Sequence, residues 1–395
     1  MKQESRNNIL ESLSRLLAEH RADIVAANQL DVSACSHDDA VILDRLKVSD
    51  EKVDSMIASV KNVIAANDPV GRVISSHIRE DGLRIENRHV PFGTILIIYE
   101  ARPDVTIEAA IIALKAGNKI LLKGGKESRH TNLCLAKLWR IALRENDADP
   151  DTVRYFDISR EETQELVRGK YEKFDLVIPR GGEALIDFVL RNSTAPVIVS
   201  GRGNNFLYID SEADFEMAVN IAVNGKQRLS VCNALDKILI NQDLPGLRVK
   251  TGQLIKALRE QNIEVIGDEE VVDMDSTVEP IADEDVWFEE FLSAKIVVGI
   301  VASTQEAIDT INDYSGGHSA AIVTANGDTA DEFLNAVDCA AVYHNASTRF
   351  TDGGQFGLGA EIAISTQKLH FRGPLGAEHL LTNKWFIFGN GQVRN

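Results

Sequence analysis

From Gly93 onward this chain alternates short apolar runs with segments of helical periodicity, and no other feature limits its fold so tightly. The run TILIIYE at 94–100 is apolar between its ends, as a strand buried on both faces requires. Residues 104–117 then carry a helical pattern, KILLKG a strand, 127–144 a helix, DLVIPRG a strand, 182–191 a helix and PVIVS a strand. Strands alternating with helices predict βαβ units and a parallel sheet. Past residue 226 the alternation restarts. KILIN, KIVVGI, SAAIVT and AAVYHN read as strands, with helices over 247–260, 304–312 and 329–337. That is the pattern of a second α/β domain. The tail, 361–395, differs: Gly373-Pro374 and Gly376 make a loop, and KWFIF a short apolar strand.

Two helices precede the alternation. Ile9, Leu10, Leu13, Leu16 and Leu17 share one helical face, and Val53, Ile57, Val60 and Ile64 share another before Asp68-Pro69 ends the pattern. Asp81-Gly82 then stands between two alternating runs and predicts a long antiparallel hairpin over 73–90.

Composition excludes several function classes. Sixty acidic against 42 basic side chains leave a net charge of −18, which repels nucleic-acid and anionic-membrane partners. An anionic ligand must therefore meet a local basic site. No apolar run approaches the ~20 residues a bilayer requires. The start, MKQESRNNIL, carries Glu4 and no apolar core of a secretory signal, so a cytoplasmic protein is expected. Four cysteines, at 35, 134, 232 and 339, are widely spaced, with no CxxC pair and no zinc-ligand spacing. Reduced thiols and no metal site are the expectation.

Five constellations can carry chemistry. LKAGNKILLKGGKESRH sets five basic side chains against one acidic one, with Lys123 at a strand end, Gly124-Gly125 as a turn, and Lys126 entering a helix. Strand carboxyl ends and helix N-termini are where open α/β sheets hold nucleotide ribose and phosphate. VIPRGGEALIDFV places Gly181-Gly182 between a strand and a helix, a weaker form of the same geometry. GKQRLSVCNALDKILI puts Cys232 between a helix and a strand, with Arg228 near and Asn233 next to it. A nucleophilic thiolate needs positive charge or helix-terminal amides, and an amide group can stabilise an oxyanion. Most cysteines, however, simply pack. YEARPDVT crowds Glu100, Arg102 and Asp104 at the end of a buried strand, where Arg102 suits a carboxylate or phosphate. HNASTRFTDGGQFGLGAE, with Asn345, Ser347, Thr348 and Arg349 before four glycines, suits a small polar ligand.

Together, IIYEARPDVT, AGNKILLKGGKES, IPRGGEALI, VCNALDKILI, VYHNASTRFTDGGQFGLGAEIAISTQKLHFRGPLG and NKWF resemble the gamma-glutamyl phosphate reductase family, a branch of the aldehyde dehydrogenase superfamily. The resemblance runs in order over roughly 90–390 and is most specific from Asn345 to Gly376. It implies an α/β fold of the aldehyde dehydrogenase type. A parallel-sheet cofactor domain would occupy 1–225 and a catalytic domain 226–360, with 361–395 returning to the cofactor and oligomerisation region. The 73–90 hairpin and the C-terminal strand would form a small β oligomerisation element. The implied reaction, in proline biosynthesis, is NADPH-dependent reduction of L-glutamyl 5-phosphate to glutamate 5-semialdehyde, with release of phosphate.

On that resemblance Cys232 is the nucleophile, and the Cys232 or Asn233 N–H stabilises the oxyanion. Lys123 holds the adenine ribose, Gly124 and Gly125 form its turn, and Lys126 meets the 2′-phosphate of NADP(H). Gly181 and Gly182 flank the pyrophosphate, and Glu290, in WFEEFL, binds the nicotinamide ribose. Arg102, Asn345 and Arg349 are candidates for the substrate carboxylate and phosphate. Oxidising members carry a general-base glutamate where Ser200 stands here, and a reductase has no use for water at its thioester. Asp236 replaces a usual glutamate after the cysteine, and Phe206 a common histidine. A homo-oligomer, dimer or tetramer, is expected because the hairpin and tail leave sheet edges to cover. Whether glutamate 5-kinase docks on this chain stays open. So do three other readings: another aldehyde or acyl-CoA oxidoreductase of the superfamily, a non-catalytic binding protein, and a cysteine hydrolase using His318 or His344.

Overall fold

The computed structural model describes residues 1–35 and 40–394, and the chain divides into two compact units. The first comprises 1–199, 357–363 and 375–395; the second comprises 200–356 and 364–374.

In the first unit four parallel strands lie in the order Val153–Tyr155, Lys119–Gly124, Thr94–Tyr99, Leu176–Arg180. The apolar run from Thr94 is one of the two inner strands, and successive residues feed opposite layers. Ile95, Ile97 and Tyr99 enter one core with Leu10, Leu13, Val53, Val60 and Trp139; Leu96 and Ile98 enter the other with Leu166, Val177 and Val189. The helix Val105–Lys115 that follows is buried along its length, with Glu108 half-buried. Even Lys115 is fully enclosed, its Nζ donating to Asn7 Oδ1 (3.3 Å) and Ile64 O (3.1 Å). The two N-terminal helices of the sequence reading are present, Gln3–Glu19 and Asp50–Ala65, and two shorter helices stand between them.

The hairpin is also present. Val73–Ile78 pairs antiparallel with Arg84–Pro91, Gly82 takes a φ of +81°, and Leu381–Phe388 adds to the free edge of the second strand. Val73–Ile78 is exposed along its whole length.

The second unit holds a seven-stranded parallel sheet. Its order is Glu279–Pro280, Glu264–Gly267, Lys295–Val301, Leu235–Asn241, Asn205–Ile209, Ser319–Val323, Ala341–His344. The three strands Leu235–Asn241, Asn205–Ile209 and Ser319–Val323 are buried throughout.

Three differences from the sequence reading appear in the structure. The units divide at 199/200, not at 225/226, because Asn205–Ile209 pairs with strands on both sides of it in the second sheet. The tail is split as well: 364–374 joins the second unit through the Ile364–Ser365 and Gly373–Pro374 pair. PVIVS makes only one bridge, Val177 to Val197, and is not a strand of the sheet.

Candidate active site

Cys232 lies in the turn between the helix Phe215–Gly225 and the strand Leu235–Asn241, at the amino-terminal edge of the second sheet. The turn is held from beneath by Asn205, which is fully buried at the start of its strand. Its Nδ2 donates to the carbonyls of Gly203 (2.8 Å), Cys232 (2.8 Å) and Ala234 (2.6 Å). His318 Nδ1 meets Asn205 Oδ1 at 3.0 Å and Ser319 Oγ at 2.8 Å, and Ser319 Oγ continues to Thr351 Oγ1 at 2.7 Å. Gly203 runs so close that a Cβ there would sit 2.0 Å from the Cys232 carbonyl oxygen. A glycine is the only residue that admits this approach.

Asn233 is spent on structure. Its Nδ2 donates to the carbonyls of Arg349 (3.1 Å) and Thr351 (3.0 Å), its Oδ1 accepts from the Arg349 guanidinium, and its carbonyl accepts from Thr348 Oγ1 (3.1 Å). The side chain thus ties the Cys232 turn to the Thr348–Phe350 turn, more than a hundred residues away in sequence. It brings Arg349 to the thiol's neighbourhood. Burial holds the Arg349 guanidinium below its ordinary value, and Arg228 pushes the same way, while Cys232 and Asp352 oppose the shift. Arg349 thus feels both the thiol and a second guanidinium, and positive charge beside a thiol favours a thiolate and an anionic ligand.

Asn345 does not join this group. Ser319 pairs with Ala341 and Ile322 with His344, so Asn345 falls beyond the carboxyl edge of the sheet, at the end opposite Cys232. There its Oδ1 accepts from Thr324 N (3.1 Å) and its Nδ2 donates to Thr324 O (3.0 Å). The sequence reading placed both Asn345 and Arg349 at the substrate; the strand register separates them.

Glu290, half-buried, follows the turn Glu284–Phe288. The residues flanking it are fixed by two adjacent side chains of the central strand. Lys237 Nζ donates to Glu289 O (2.7 Å), and Asp236 Oδ2 accepts from Phe291 N (3.1 Å). Composition and spacing gave no hint of Asn205, Asp236 or Lys237. The available signal was polar residues at positions where the strand pattern calls for apolar ones.

The nucleotide-type residues lie in the first unit. Lys123, next to last in its strand, is half-buried, its Nζ donates to Gly124 O (2.5 Å), and burial lowers its pKa against the pull of Asp157 and Glu127. Lys126 is exposed beyond the Gly124-Gly125 turn. A Cβ on Gly125 would stand 2.0 Å from Glu127 Oε1, which accepts from Ala101 N (2.5 Å). A Cβ on Gly181 would stand 2.2 Å from Glu100 Oε2, which accepts from Gly182 N (2.9 Å). A carboxylate thus caps the helix start that the sequence reading assigned to pyrophosphate. Arg102 stands near Asp104, a buried carboxylate whose pKa burial raises but Lys52 and Arg102 bring down overall. Beside it Glu108 is pushed up to about 8, by burial first and Asp104 second. Among the described residues no group of His, Cys, Asp or Glu is placed to hold a metal ion, and no helix is long and apolar enough to cross a membrane.

The donor set in the first unit suits a dinucleotide: lysines at a strand end for ribose and phosphate oxygens, and glycines where the backbone must stay bare. The model of the aldehyde dehydrogenase family matches residues 1–262 and 277–360. The gamma-glutamyl phosphate reductase of Clostridium beijerinckii is 44% identical over 393 residues, covering 98% of this chain and 94% of that protein. That of Thermotoga petrophila is 42% identical over 393 residues, covering 98% and 94%. The crystal structure of gamma-glutamyl phosphate reductase from Thermotoga maritima superposes with a TM-score of 0.93 at 41% identity, covering 100% of this chain and 95% of that one. An acetylating aldehyde dehydrogenase from Geobacillus thermoglucosidasius shares the fold at 17% identity, with a TM-score of 0.72 and coverage of 100% and 94%.

Proposed function

The chain belongs to the aldehyde dehydrogenase family, in its gamma-glutamyl phosphate reductase branch, and we propose that it reduces L-glutamyl 5-phosphate to glutamate 5-semialdehyde with NADPH, as a step toward proline. One observation within the chain carries this reading. The Cys232 turn is tied down by Asn205 and Asn233, and the Arg349 guanidinium lies in the field of both Arg228 and the Cys232 thiol.

The chemistry follows from those residues. The Cys232 thiolate attacks the acyl carbon of the substrate, forming a C–S bond while the carbonyl electrons move onto oxygen. The Cys232 and Asn233 backbone amides are the candidates to meet that oxyanion. The C–O bond to phosphate then breaks, and the leaving dianion departs toward Arg349, whose planar fork matches phosphate oxygens. A thioester remains on Cys232. When bound, NADPH supplies the hydride that reduces this carbon. Collapse of the resulting thiohemiacetal releases the aldehyde and regenerates the thiolate. Splitting one acyl reduction into two steps is the gain of covalent catalysis. Ser200 stands where oxidising members of the superfamily carry a water-activating glutamate, which fits discharge of the thioester to hydride.

Lys123 and the Gly124-Gly125 turn would hold the adenine ribose, Lys126 the 2′-phosphate, Gly181 and Gly182 the pyrophosphate, and Glu290 the nicotinamide ribose. Pyrophosphate binding on this reading requires Glu100 to release the Gly182 amide. Arg102 is the candidate for the substrate carboxylate. A second copy of the chain is the proposed occupant of the exposed Val73–Ile78 and Leu381–Phe388 edges, where Ile78 is 63% and Trp385 54% exposed.

The test runs the reaction in reverse, because the acyl phosphate is labile. Protein, glutamate semialdehyde and NADP+ are mixed with and without inorganic phosphate, and NADPH absorbance is followed. Phosphate-dependent reduction that disappears in Cys232→Ala supports the reading. Equal turnover without phosphate indicates a hydrolytic aldehyde dehydrogenase instead, and turnover that requires coenzyme A an acylating one.

A further inference from the structure

Lys237 is an improbable residue for its position. It stands on the central strand of the second sheet, with 0% of its surface exposed and Asp236 beside it at 1%. Burying an ammonium group costs several kcal/mol unless it is paired and hydrogen-bonded, and an apolar side chain would serve the core better.

The sheet register shows how both side chains reach the same segment. Asn205 pairs with Leu235, but the next residue, Phe206, pairs with Lys237, so Asp236 is an extra residue in a β-bulge. Bulges are rare between parallel strands, and they re-aim side chains next to active sites. In a regular strand Asp236 and Lys237 would point to opposite faces. Here Asp236 accepts from Phe291 N (3.1 Å) and Lys237 donates to Glu289 O (2.7 Å). Lys237 Nζ also lies 4.2 Å from the Phe291 ring centre, a favourable placement for a cation over an aromatic face. Asp236 is neutralised in turn by the fully enclosed Lys226.

The preceding residues are caught as well. Trp287 O accepts from Asn204 Nδ2 (2.6 Å) and Phe288 O from Arg202 (3.2 Å). Three consecutive carbonyls, at 287, 288 and 289, and the amide at 291 are thus fixed by side chains, and Glu290 is the residue they bracket.

We infer that the Asp236–Lys237 bulge is a positioning device that sets Glu290 for the ribose on the nicotinamide side of the dinucleotide. Asp236 and Lys237 touch neither cofactor nor substrate; they act through the backbone on either side of Glu290. The inference rests on the reading that the chain binds NADP(H) with Glu290 on that ribose.

The test separates the two halves of the cofactor. Adenosine 2′,5′-bisphosphate contains the adenine half alone, whereas NADPH contains both. Dissociation constants for the two are measured by calorimetry on wild-type protein, Lys237→Met, Glu290→Gln and the double variant. Loss of one charge-assisted hydrogen bond predicts roughly tenfold weaker NADPH binding by Lys237→Met, with the bisphosphate affinity within twofold of wild type. Because Lys237 acts through Glu290, the double variant should lose no more than Glu290→Gln alone. Lys237→Gln, a milder change, gives the same comparison if Lys237→Met does not fold. A purely structural role would weaken both ligands together or neither, and either result overturns the inference. Additive losses in the double variant overturn it too. Wild-type protein that binds neither ligand overturns the NADP(H) reading, and this inference with it.

Discussion

Gly203→Ala tests the packing beneath the thiol. The added Cβ would meet Cys232 O at 2.0 Å, its carbonyl carbon at 2.7 Å and its Cα at 2.7 Å. Ordinary contact between such atoms begins at about 3.5 Å, so the backbones must part by roughly 1 Å or more. The Asn205 clamp resists, because its Nδ2 already holds the carbonyls of Gly203, Cys232 and Ala234. Overpacking of this kind costs about 1–3 kcal/mol of stability. A displacement of about 1 Å at a nucleophile costs about a hundredfold in turnover. Phosphate-dependent NADP+ reduction should therefore fall about a hundredfold, while thermal unfolding shows a protein still folded and adenosine 2′,5′-bisphosphate binds normally. Turnover within threefold of wild type would refute the claim that this approach fixes the thiol.

Three other outcomes follow from the same geometry. Arg349→Lys keeps a charge but loses the planar fork and the bond to Asn233 Oδ1; the KM for phosphate in the reverse assay should rise at least tenfold, roughly one charge-assisted hydrogen bond, and an unchanged KM would remove Arg349 from the phosphate site. Glu108 is pushed up to about 8 by burial and Asp104, so the folded state holds a proton the unfolded state gives up near pH 4.5. Stability is then complete below that pH and declines as pH rises toward 8, and denaturant titrations should show Glu108→Gln flattening that decline. Ile387→Lys, at an exposed position of the C-terminal strand, should lower the oligomer mass in light scattering; an unchanged mass would remove that strand from the interface.

The α/β architecture was legible because parallel strands buried on both faces must be apolar runs, and TILIIYE and KILIN are such runs. The boundary between units was not, because Asn205–Ile209 opens on Asn204 and Asn205, whose amides bind backbone carbonyls that only folding brings near. Cys232 and Asn233 could be singled out from local sequence, but the link to Arg349 lies in hydrogen bonds spanning 116 and 118 residues. Asn345 illustrates the same limit. It shares a polar loop with Arg349, and a four-residue strand pairing places it at the other end of the sheet. The Asp236–Lys237 clamp depends on a bulge, and one extra residue in a strand leaves no mark on an apolar pattern.

The central claim is that Cys232 carries the acyl group. Intact-mass and peptide mass spectrometry on protein incubated with glutamate semialdehyde and NADP+, without phosphate, tests it most directly. The account predicts a glutamyl adduct on the peptide containing Cys232, its loss when phosphate is added, and none in Cys232→Ala. Phosphate-dependent turnover with Cys232 unmodified throughout, or an adduct on Cys35, Cys134 or Cys339 instead, would contradict it.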